Sequence, residues 1–146
     1  MNAVKRLVEK YREPIAYVLV GGLTTLVNIV AFKVNRALGL PTAVANALAL
    51  LLSILFAYYP NRIWVFHSQQ RGRAQWKEFT LFLSSRIATA VLDEAIVVFG
   101  VDVLGSRLVS ESGMDLWESG VKLFATVLVI IVNYVFSKLM IFKKKD

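Results

Sequence analysis

Two stretches of the sequence end in the same way: Ala57–Phe66 (AYYPNRIWVF) and Asn133–Phe142 (NYVFSKLMIF). Each closes a long apolar stretch with a tyrosine, a small polar residue, a cation, three apolar residues and a phenylalanine. The closing phenylalanines are 76 positions apart, at 66 and 142, in a chain of 146 residues. Such a repeat at the ends of apolar stretches indicates a duplicated membrane unit.

The composition points to lipid as the surrounding solvent. The chain is 57% hydrophobic and 18% charged, with a mean hydropathy of +0.60, whereas soluble domains are about a quarter charged. The absence of cysteine excludes disulfides and thiolate metal sites, and the single histidine, His67, excludes a histidine-rich one, so no cofactor is expected. In a membrane protein the net charge of +7 reflects topology and contact with anionic membrane lipid, not nucleic acid.

Four stretches are long enough to cross a bilayer core, which needs roughly 20 apolar residues in a helix. They are about Pro14–Leu38, Thr42–Val65, Lys77–Val101 and Ser119–Ile141. Gly39–Thr42 predicts a tight hairpin between the first two, and Val101–Glu118 a longer linker between the last two. The predicted fold is an all-α polytopic membrane protein of four transmembrane helices, built as two helical hairpins in a single domain, residues 1–146.

The distribution of cations predicts the orientation. Twelve fall on one side of a four-span chain: Lys5, Arg6, Lys10, Arg12, Arg62, Arg71, Arg73, Lys77, Lys138, Lys143, Lys144 and Lys145. The other side carries only Lys33, Arg36 and Arg107. Because cations are retained on the cytoplasmic side, both termini are expected in the cytoplasm. The two hairpins then form a parallel repeat in the cytoplasmic membrane, related by an axis along the membrane normal.

Charged residues inside the predicted spans need a reason, since each costs at least a few kcal/mol at the bilayer centre. Arg86 is expected near the midplane, and Asp93, seven positions later, on almost the same helix face. Glu94 and Lys122 are expected towards the outer half. The four charges cancel, which suggests a compensating set. Structural pairing and snorkelling are the simpler explanation for Lys122 and Glu94, whereas the depth of Arg86 favours a function.

Uncharged polar residues also fall in the predicted spans. Asn28, Asn46 and Asn133 are expected to form hydrogen bonds between helices. Pro60 is expected to kink or end the second helix and to place Asn61 at the break.

Each repeated ending carries a cation, Arg62 in the first and Lys138 in the second. The pattern predicts both at one depth near the cytoplasmic face. There the Arg62 guanidinium could donate two hydrogen bonds to a phosphate, and the Lys138 ammonium could bind it as a point charge. Simple anchoring by positive charge explains the same residues, and composition does not separate the two interpretations.

At these residues the chain resembles the GtrA-like family of small four-span membrane proteins, over nearly its full length. The similarity runs through Tyr17–Asn28, Asn61–Phe66, Phe82–Arg86, Lys122 and Asn133–Phe142. The second ending departs from the family pattern, because Met140 replaces the expected tryptophan and Ser137 stands where the first copy has Asn61. The resemblance implies functional roles for Asn61, Arg62, Arg86, Lys122 and Asn133.

The same resemblance implies a role in cell-surface polysaccharide synthesis, including teichoic-acid glycosylation. Family members are thought to move a polyprenyl-phosphate-linked monosaccharide across the cytoplasmic membrane for a separate membrane glycosyltransferase. The phosphate would then pass cations graded in depth: Arg62 and Lys138, then Arg86, then Lys122. Four polar residues are expected to hydrogen-bond the sugar hydroxyls: Asp93, Glu94, Asn46 and Asn133.

Other functions fit less well. No paired carboxylates, nucleophile or metal-ligand motif appears, so an enzyme is not expected. A small four-span drug exporter would need a carboxylate in the first span, which has no acid after Glu13. A scaffold or accessory subunit of a prenyl-linked glycosyltransferase remains open. Four short spans enclose little space for a sugar, so a homo-oligomer is expected.

Overall fold

The computed structural model describes residues 3–143, so Lys144 and Lys145 of the basic tail lie outside the described residues. Every regular element in this range is helical. Four α-helices and a short connecting one alternate with three π-helical stretches and a 3-10 turn. In chain order they are α1 (Ala3–Ala37), α2 (Thr42–Pro60), π1 (Asn61–Val65), α3 (Arg73–Val98), π2 (Phe99–Gly105), α4 (Ser106–Leu108), the 3-10 turn (Glu111–Gly113), α5 (Met114–Phe136) and π3 (Ser137–Ile141).

Within the described range, three helical stretches are long and apolar enough to cross a membrane: Ala3–Ala37, Thr42–Val65 and Glu111–Ile141. The chain is therefore a multi-pass membrane protein, as predicted. The third predicted span is helical in α3 but is not among the three. It carries five charged residues, Lys77, Glu78, Arg86, Asp93 and Glu94. The fourth crossing and the orientation of the termini stay predictions.

The predicted hairpin of α1 and α2 is confirmed. Gly39 ends α1 with a positive φ of 82°, and its N–H donates to the carbonyl of Arg36 while that of Leu40 donates to the carbonyl of Asn35. This paired arrangement satisfies the last carbonyls of a helix and favours glycine, which has no Cβ. Two asparagines then join the helices: Asn28 Nδ2 donates to Ser53 Oγ at 3.4 Å, and Asn35 Nδ2 to the carbonyl of Ala45 at 3.2 Å.

The sequence repeat is also a structural repeat. The helix α2 ends at Pro60 and continues as π1, while α5 ends at Phe136 and continues as π3, at the matching position. The predicted helix end at Pro60 is correct. The proline alone does not explain the π-helical turn, because Phe136 occupies the same place in the second copy.

The chain forms two compact units, each considered by itself. The first contains the described parts of Met1–Leu83 and Phe142–Asp146. Its core is aromatic: the Tyr58 ring contacts Phe79, Phe82 and Phe142 at centroid distances of 5.1, 5.6 and 6.2 Å. Phe66 stacks on Phe142 at 5.1 Å, with an interplanar angle of 14°. The two phenylalanines that close the repeated endings therefore pack directly against each other.

The second unit, Ser84–Ile141, is built around close packing at π2. A Cβ added to Gly100 would lie 2.6 Å from Val121 Cγ1, so only glycine fits there without a shift. The Trp117 indole N–H donates to the carbonyl of Gly100 at 2.8 Å. The helix consequently continues through Leu108, well into the stretch predicted as a linker, because packing against α5 outweighs the local glycine and serine content.

Truncating the fully buried ring of Phe82 is expected to destabilise the first unit by about 3–5 kcal/mol, the cost of an emptied aromatic site in a core. Phe99 is the matched control, since its ring is mostly exposed. Thermal unfolding of the two alanine variants in the same detergent measures the difference. Equal melting temperatures for Phe82→Ala and Phe99→Ala would contradict the aromatic core.

Candidate functional site

The first ending contains a buried ion pair. Arg62, in π1, lies with its Nε 3.2 Å from Oε2 of Glu78 in α3. The other oxygen of Glu78 accepts from Ser68 Oγ at 2.5 Å, and Arg62 Nη2 donates to the carbonyl of Gln70. Only 4% of Glu78 is exposed. We call these four residues, Arg62, Ser68, Gln70 and Glu78, the Arg62–Glu78 cluster.

The backbone between π1 and α3 brings the cluster together. The N–H of Ser68 donates to the carbonyl of Arg62 at 2.9 Å, which folds the chain back on π1. His67 and Gly72 both have a positive φ, 50° and 61°, and so turn the chain into α3. The loop thus places the Ser68 hydroxyl and the Gln70 carbonyl around the charges of the pair.

This geometry changes the role expected of Arg62. Two of its three guanidinium nitrogens, Nε and Nη2, already donate inside the protein, so the side chain is not an open fork for phosphate. Burying a charge is costly unless it is paired and hydrogen-bonded, and Glu78 meets that need. A phosphate at Arg62 therefore has to compete with the Glu78 carboxylate.

Glu78 was missed in the sequence, although a signal was present. It is the only acidic residue between Glu13 and Asp93. A lone carboxylate in such a long basic and apolar stretch is costly to bury without a cation, and Arg62 ends the preceding helix.

Asn61, beside Arg62, holds an unsatisfied acceptor. Its Nδ2 donates to the carbonyl of Ala57 at 2.8 Å, one turn earlier. Its Oδ1 is buried and meets no donor among residues 3–143, and only 3% of the residue is exposed. A buried acceptor without a donor costs about 1–3 kcal/mol, which a hydroxyl of a ligand would relieve.

The second unit joins α3 to the last helix by three polar contacts, which we call the polar ladder. Arg86 Nη2 donates to Ser137 Oγ at 3.5 Å, and Thr89 Oγ1 donates to Asn133 Oδ1 at 3.0 Å. Lys122 Nζ forms an ion pair with Asp93 Oδ2 at 2.6 Å. Arg86, Thr89 and Asp93 follow one another at three- and four-residue steps, so they lie along one face of α3.

The ladder confirms part of the predicted compensating set and corrects another part. The pairing of Asp93 with Lys122 and the interhelical bond of Asn133 are as expected. Glu94 does not join the ladder and is exposed, which fits the snorkelling expected for it and not its place in the compensating set. Asn46 is also exposed, on α2 of the first unit, and so belongs to no interhelical contact described here. The sequence analysis did not single out Thr89. Its three-residue spacing from Arg86, which places both on one helix face, could have identified it.

Lys122 and Lys138 differ in their surroundings. The Lys122 side chain is 58% exposed although α5 is strongly apolar, and a shallow recess beside it is lined by Glu118, Ser119 and Thr126. Lys138 is exposed and stays against its own helix, with Nζ 3.3 Å from Tyr134 Oη and 5.6 Å from the centroid of that ring. The two cations of the repeated endings, Arg62 and Lys138, therefore occupy unlike environments, and their shared role in binding a phosphate stays a prediction.

A cavity of about 640 Å³ lies in the second unit around π2. Its lining is apolar and includes Phe99, Leu104, Leu116, Trp117, Val121 and Phe124. The one indole N–H in the lining is already bonded to the carbonyl of Gly100. This groove suits hydrocarbon and offers nothing to a sugar or a phosphate, so the polar ladder and the Arg62–Glu78 cluster are the candidate sites for a polar headgroup.

Known proteins resemble this chain along its whole length. A family model described as "GtrA/DPMS, transmembrane domain" matches residues 16–142. The "Cell wall teichoic acid glycosylation protein GtcA" of Listeria monocytogenes serovar 1/2a is 33% identical, covering 99% of each chain. The protein of the same name in Listeria innocua serovar 6a is 34% identical over 98% of each chain. The "Uncharacterized membrane protein YwcD" of Bacillus subtilis is 31% identical over 88% of this chain and 94% of its own. No solved structure matches the chain at a significant level.

Arg62→Gln and Glu78→Gln are each expected to lower the free energy of unfolding by about 3–5 kcal/mol, because each strands a buried charge. The double variant is expected to lose less than the sum of the two, with a coupling of roughly 0.5–3 kcal/mol. Chemical denaturation in detergent measures the cycle. Glu118→Gln, at an exposed carboxyl, is the control and should change little. Strictly additive losses would show that the two side chains do not interact.

Proposed function

The chain belongs to the GtrA/DPMS transmembrane domain family, and from this premise we propose that it moves a polyprenyl-phosphate-linked monosaccharide across the cytoplasmic membrane. The sugar would serve glycosylation of a cell-surface polymer such as teichoic acid. The names of the Listeria relatives, which cover 98–99% of the chain, support the link to teichoic-acid glycosylation. The translocation step itself is the proposal.

The polar ladder is the observation that carries this proposal. Charged groups within an apolar bilayer are expensive, and a cluster of them commonly marks a functional site. Here α3 and α5 meet through a guanidinium, an ammonium, a carboxylate, a hydroxyl and an amide. This is the set of groups that recognises a phosphate and sugar hydroxyls, arranged in steps along one helix.

We assign the phosphate to the cations of the ladder. One donor of Arg86, Nη2, now bonds the neutral Ser137 hydroxyl at the long distance of 3.5 Å, and a phosphate is a stronger acceptor than a hydroxyl. Lys122 is paired with Asp93 but its side chain is largely exposed. Its ammonium can therefore exchange the Asp93 carboxylate for a phosphate without becoming a buried, unpaired charge. Thr89 and Asn133, which now bond each other, would exchange that bond for bonds to sugar hydroxyls.

The Arg62–Glu78 cluster is proposed as the entry position. Arg62 would attract the phosphate from the cytoplasmic face, while Glu78 prevents tight capture by competing for the same guanidinium. The buried Asn61 Oδ1, one residue away, would accept a hydrogen bond from a sugar hydroxyl. A weak entry site favours turnover, because a headgroup held strongly at entry does not move on.

The proposal includes the topology that transport needs. We propose that α3 crosses the membrane as the fourth span, with its charges compensated by the ladder, and that both termini are cytoplasmic. The stacking of Phe66 on Phe142 supports placing both repeated endings at one membrane face. The excess of cations at these endings supports that face being the cytoplasmic one.

No ATP coupling is proposed, because the sequence has no nucleotide-binding loop. Exchange of the lipid-linked sugar down its concentration gradient is the simplest driving force.

The exposure of Lys122 in an apolar helix supports a homo-oligomer in which a second copy covers it. The rival function is a non-translocating accessory subunit that recruits the glycosyltransferase.

Reconstitution distinguishes the two functions. The purified protein is placed alone in vesicles whose inner leaflet carries a labelled polyprenyl-phosphate sugar, and the label is followed by a reagent that reaches only the outer leaflet. Protein-dependent appearance of the label supports translocation. No appearance, together with tight binding to a prenyl-linked glycosyltransferase, would support the accessory subunit and refute the flippase.

Arg86→Gln is expected to lower the rate of outer-leaflet appearance by about tenfold or more, since loss of a charge-assisted hydrogen bond costs roughly 1.5–3 kcal/mol. Arg86→Lys keeps the charge without the planar fork and should retain an intermediate rate. Arg107→Gln, at an exposed cation outside the ladder, is the control. Normal insertion with an unchanged rate in Arg86→Gln would defeat the assignment.

Asn133→Ala is expected to slow transport more than it lowers stability, because Asn133 is assigned to the substrate as well as to Thr89. Asn28→Ala is the matched control: it removes a comparable interhelical bond, to Ser53, in the first unit. Each bond is worth about a kcal/mol or less to folding. Parallel transport assays and melting curves give the comparison, and equal transport losses in the two variants would place Asn133 among purely structural residues.

A further inference from the structure

The first eleven described residues, which we call the N-terminal segment (residues 3–13), form a basic amphipathic helix. Val4, Leu7, Val8 and Tyr11 recur at three- and four-residue steps and so share one face of α1. All four side chains are exposed. An apolar face of this width is normally covered by something.

The charges are arranged around that face in a definite order. At about 100° per residue, Lys5 and Arg12 flank the apolar face on one side and Lys10 on the other. The acids Glu9 and Glu13 lie on the opposite side of the helix, where Arg6 also falls, close to Glu13. The Lys10 ammonium lies 5.5 Å from the centroid of the Tyr11 ring, at the border of the two faces. Three of the four cations of the segment therefore lie at the border of the apolar face and both acids lie opposite it. This order suits an anionic phospholipid surface, where long cationic side chains reach phosphates beside the buried apolar face.

The length of α1 shows where the N-terminal segment has to be. The helix has 35 residues and so measures about 52 Å, whereas the hydrocarbon core is about 30 Å thick. The remaining length corresponds to the N-terminal segment, which therefore begins at the membrane surface. Pro14 separates this segment from the apolar part of α1 and has no N–H to donate to the carbonyl of Lys10, which favours a bend at that point.

We propose that the N-terminal segment lies along the anionic phospholipid surface of the membrane that α1 crosses, bent at Pro14, with Val4, Leu7, Val8 and Tyr11 among the acyl chains. The cations Lys5, Lys10 and Arg12 bind lipid phosphates. The charge order favours lipid over a protein partner, because a protein groove imposes no need for cations on both borders. This inference is independent of the transported substrate.

The test uses the full chain and its lack of cysteine. A single cysteine at Val8 or at Glu9 carries an environment-sensitive fluorophore, in vesicles of phosphatidylcholine alone or with phosphatidylglycerol. With phosphatidylglycerol, the label at Val8 should be shielded from an aqueous quencher and the label at Glu9 should not. Changing Lys10 to Gln should weaken the surface-bound state about fivefold, the effect of one cation near an anionic surface.

The matched control for Lys10→Gln is Lys33→Gln, at a cation distant from the segment. Equal quenching at Val8 and Glu9 in both lipids would overturn the proposal, since the segment would then be solvated all round. Shielding at Val8 that ignores phosphatidylglycerol and grows with protein density would also overturn it, because a second copy would then cover the face. Insertion and melting temperature, measured in parallel, show that the labelled chains are intact.

Discussion

Polar side chains in an apolar bilayer need partners within the protein, and this constraint organises what the chain does with its charges. No water is present in the hydrocarbon to solvate them, so several of the charges in α3 are held by another helix or by a neighbouring loop. Glu78 is enclosed by Arg62 and Ser68, and Asp93 holds Lys122. In the proposed function, a phosphate would take the place on Lys122 that the Asp93 carboxylate now occupies.

The two units meet this constraint differently. In the first, an aromatic core around Tyr58 supports a single enclosed ion pair at the end of α2. In the second, side chains spread along α3 and α5 form separate contacts, none of them surrounded by an equivalent aromatic core. The first arrangement resists rearrangement because breaking it strands a buried charge. The second is made of separate contacts, which is why the proposed function assigns the moving headgroup to it.

The sequence predicted those features of the fold that depend on the spacing of residues along the chain. Apolar length predicted the helices, Gly39 predicted the hairpin, and the repeated endings predicted a feature that the structure shows as π1 and π3. It was less informative where tertiary contacts decide. The burial of Arg62 against Glu78 depends on the loop that folds Ser68 back, and the extension of α3 through π2 depends on Val121 fitting against Gly100. The lone carboxylate of Glu78 signals that a cation is needed but does not identify Arg62, and in each contact the two partners lie at least 16 residues apart.

The stacking of Phe66 on Phe142 joins two rings that are synthesised 76 residues apart. The first unit is otherwise formed by residues up to Leu83, so its aromatic core receives its last ring only after about sixty further residues have been made. At a synthesis rate of about 5–20 residues per second, the leading hairpin waits roughly 3–12 s in the membrane without it. During biogenesis that hairpin carries an open aromatic site, and the end of the chain closes it.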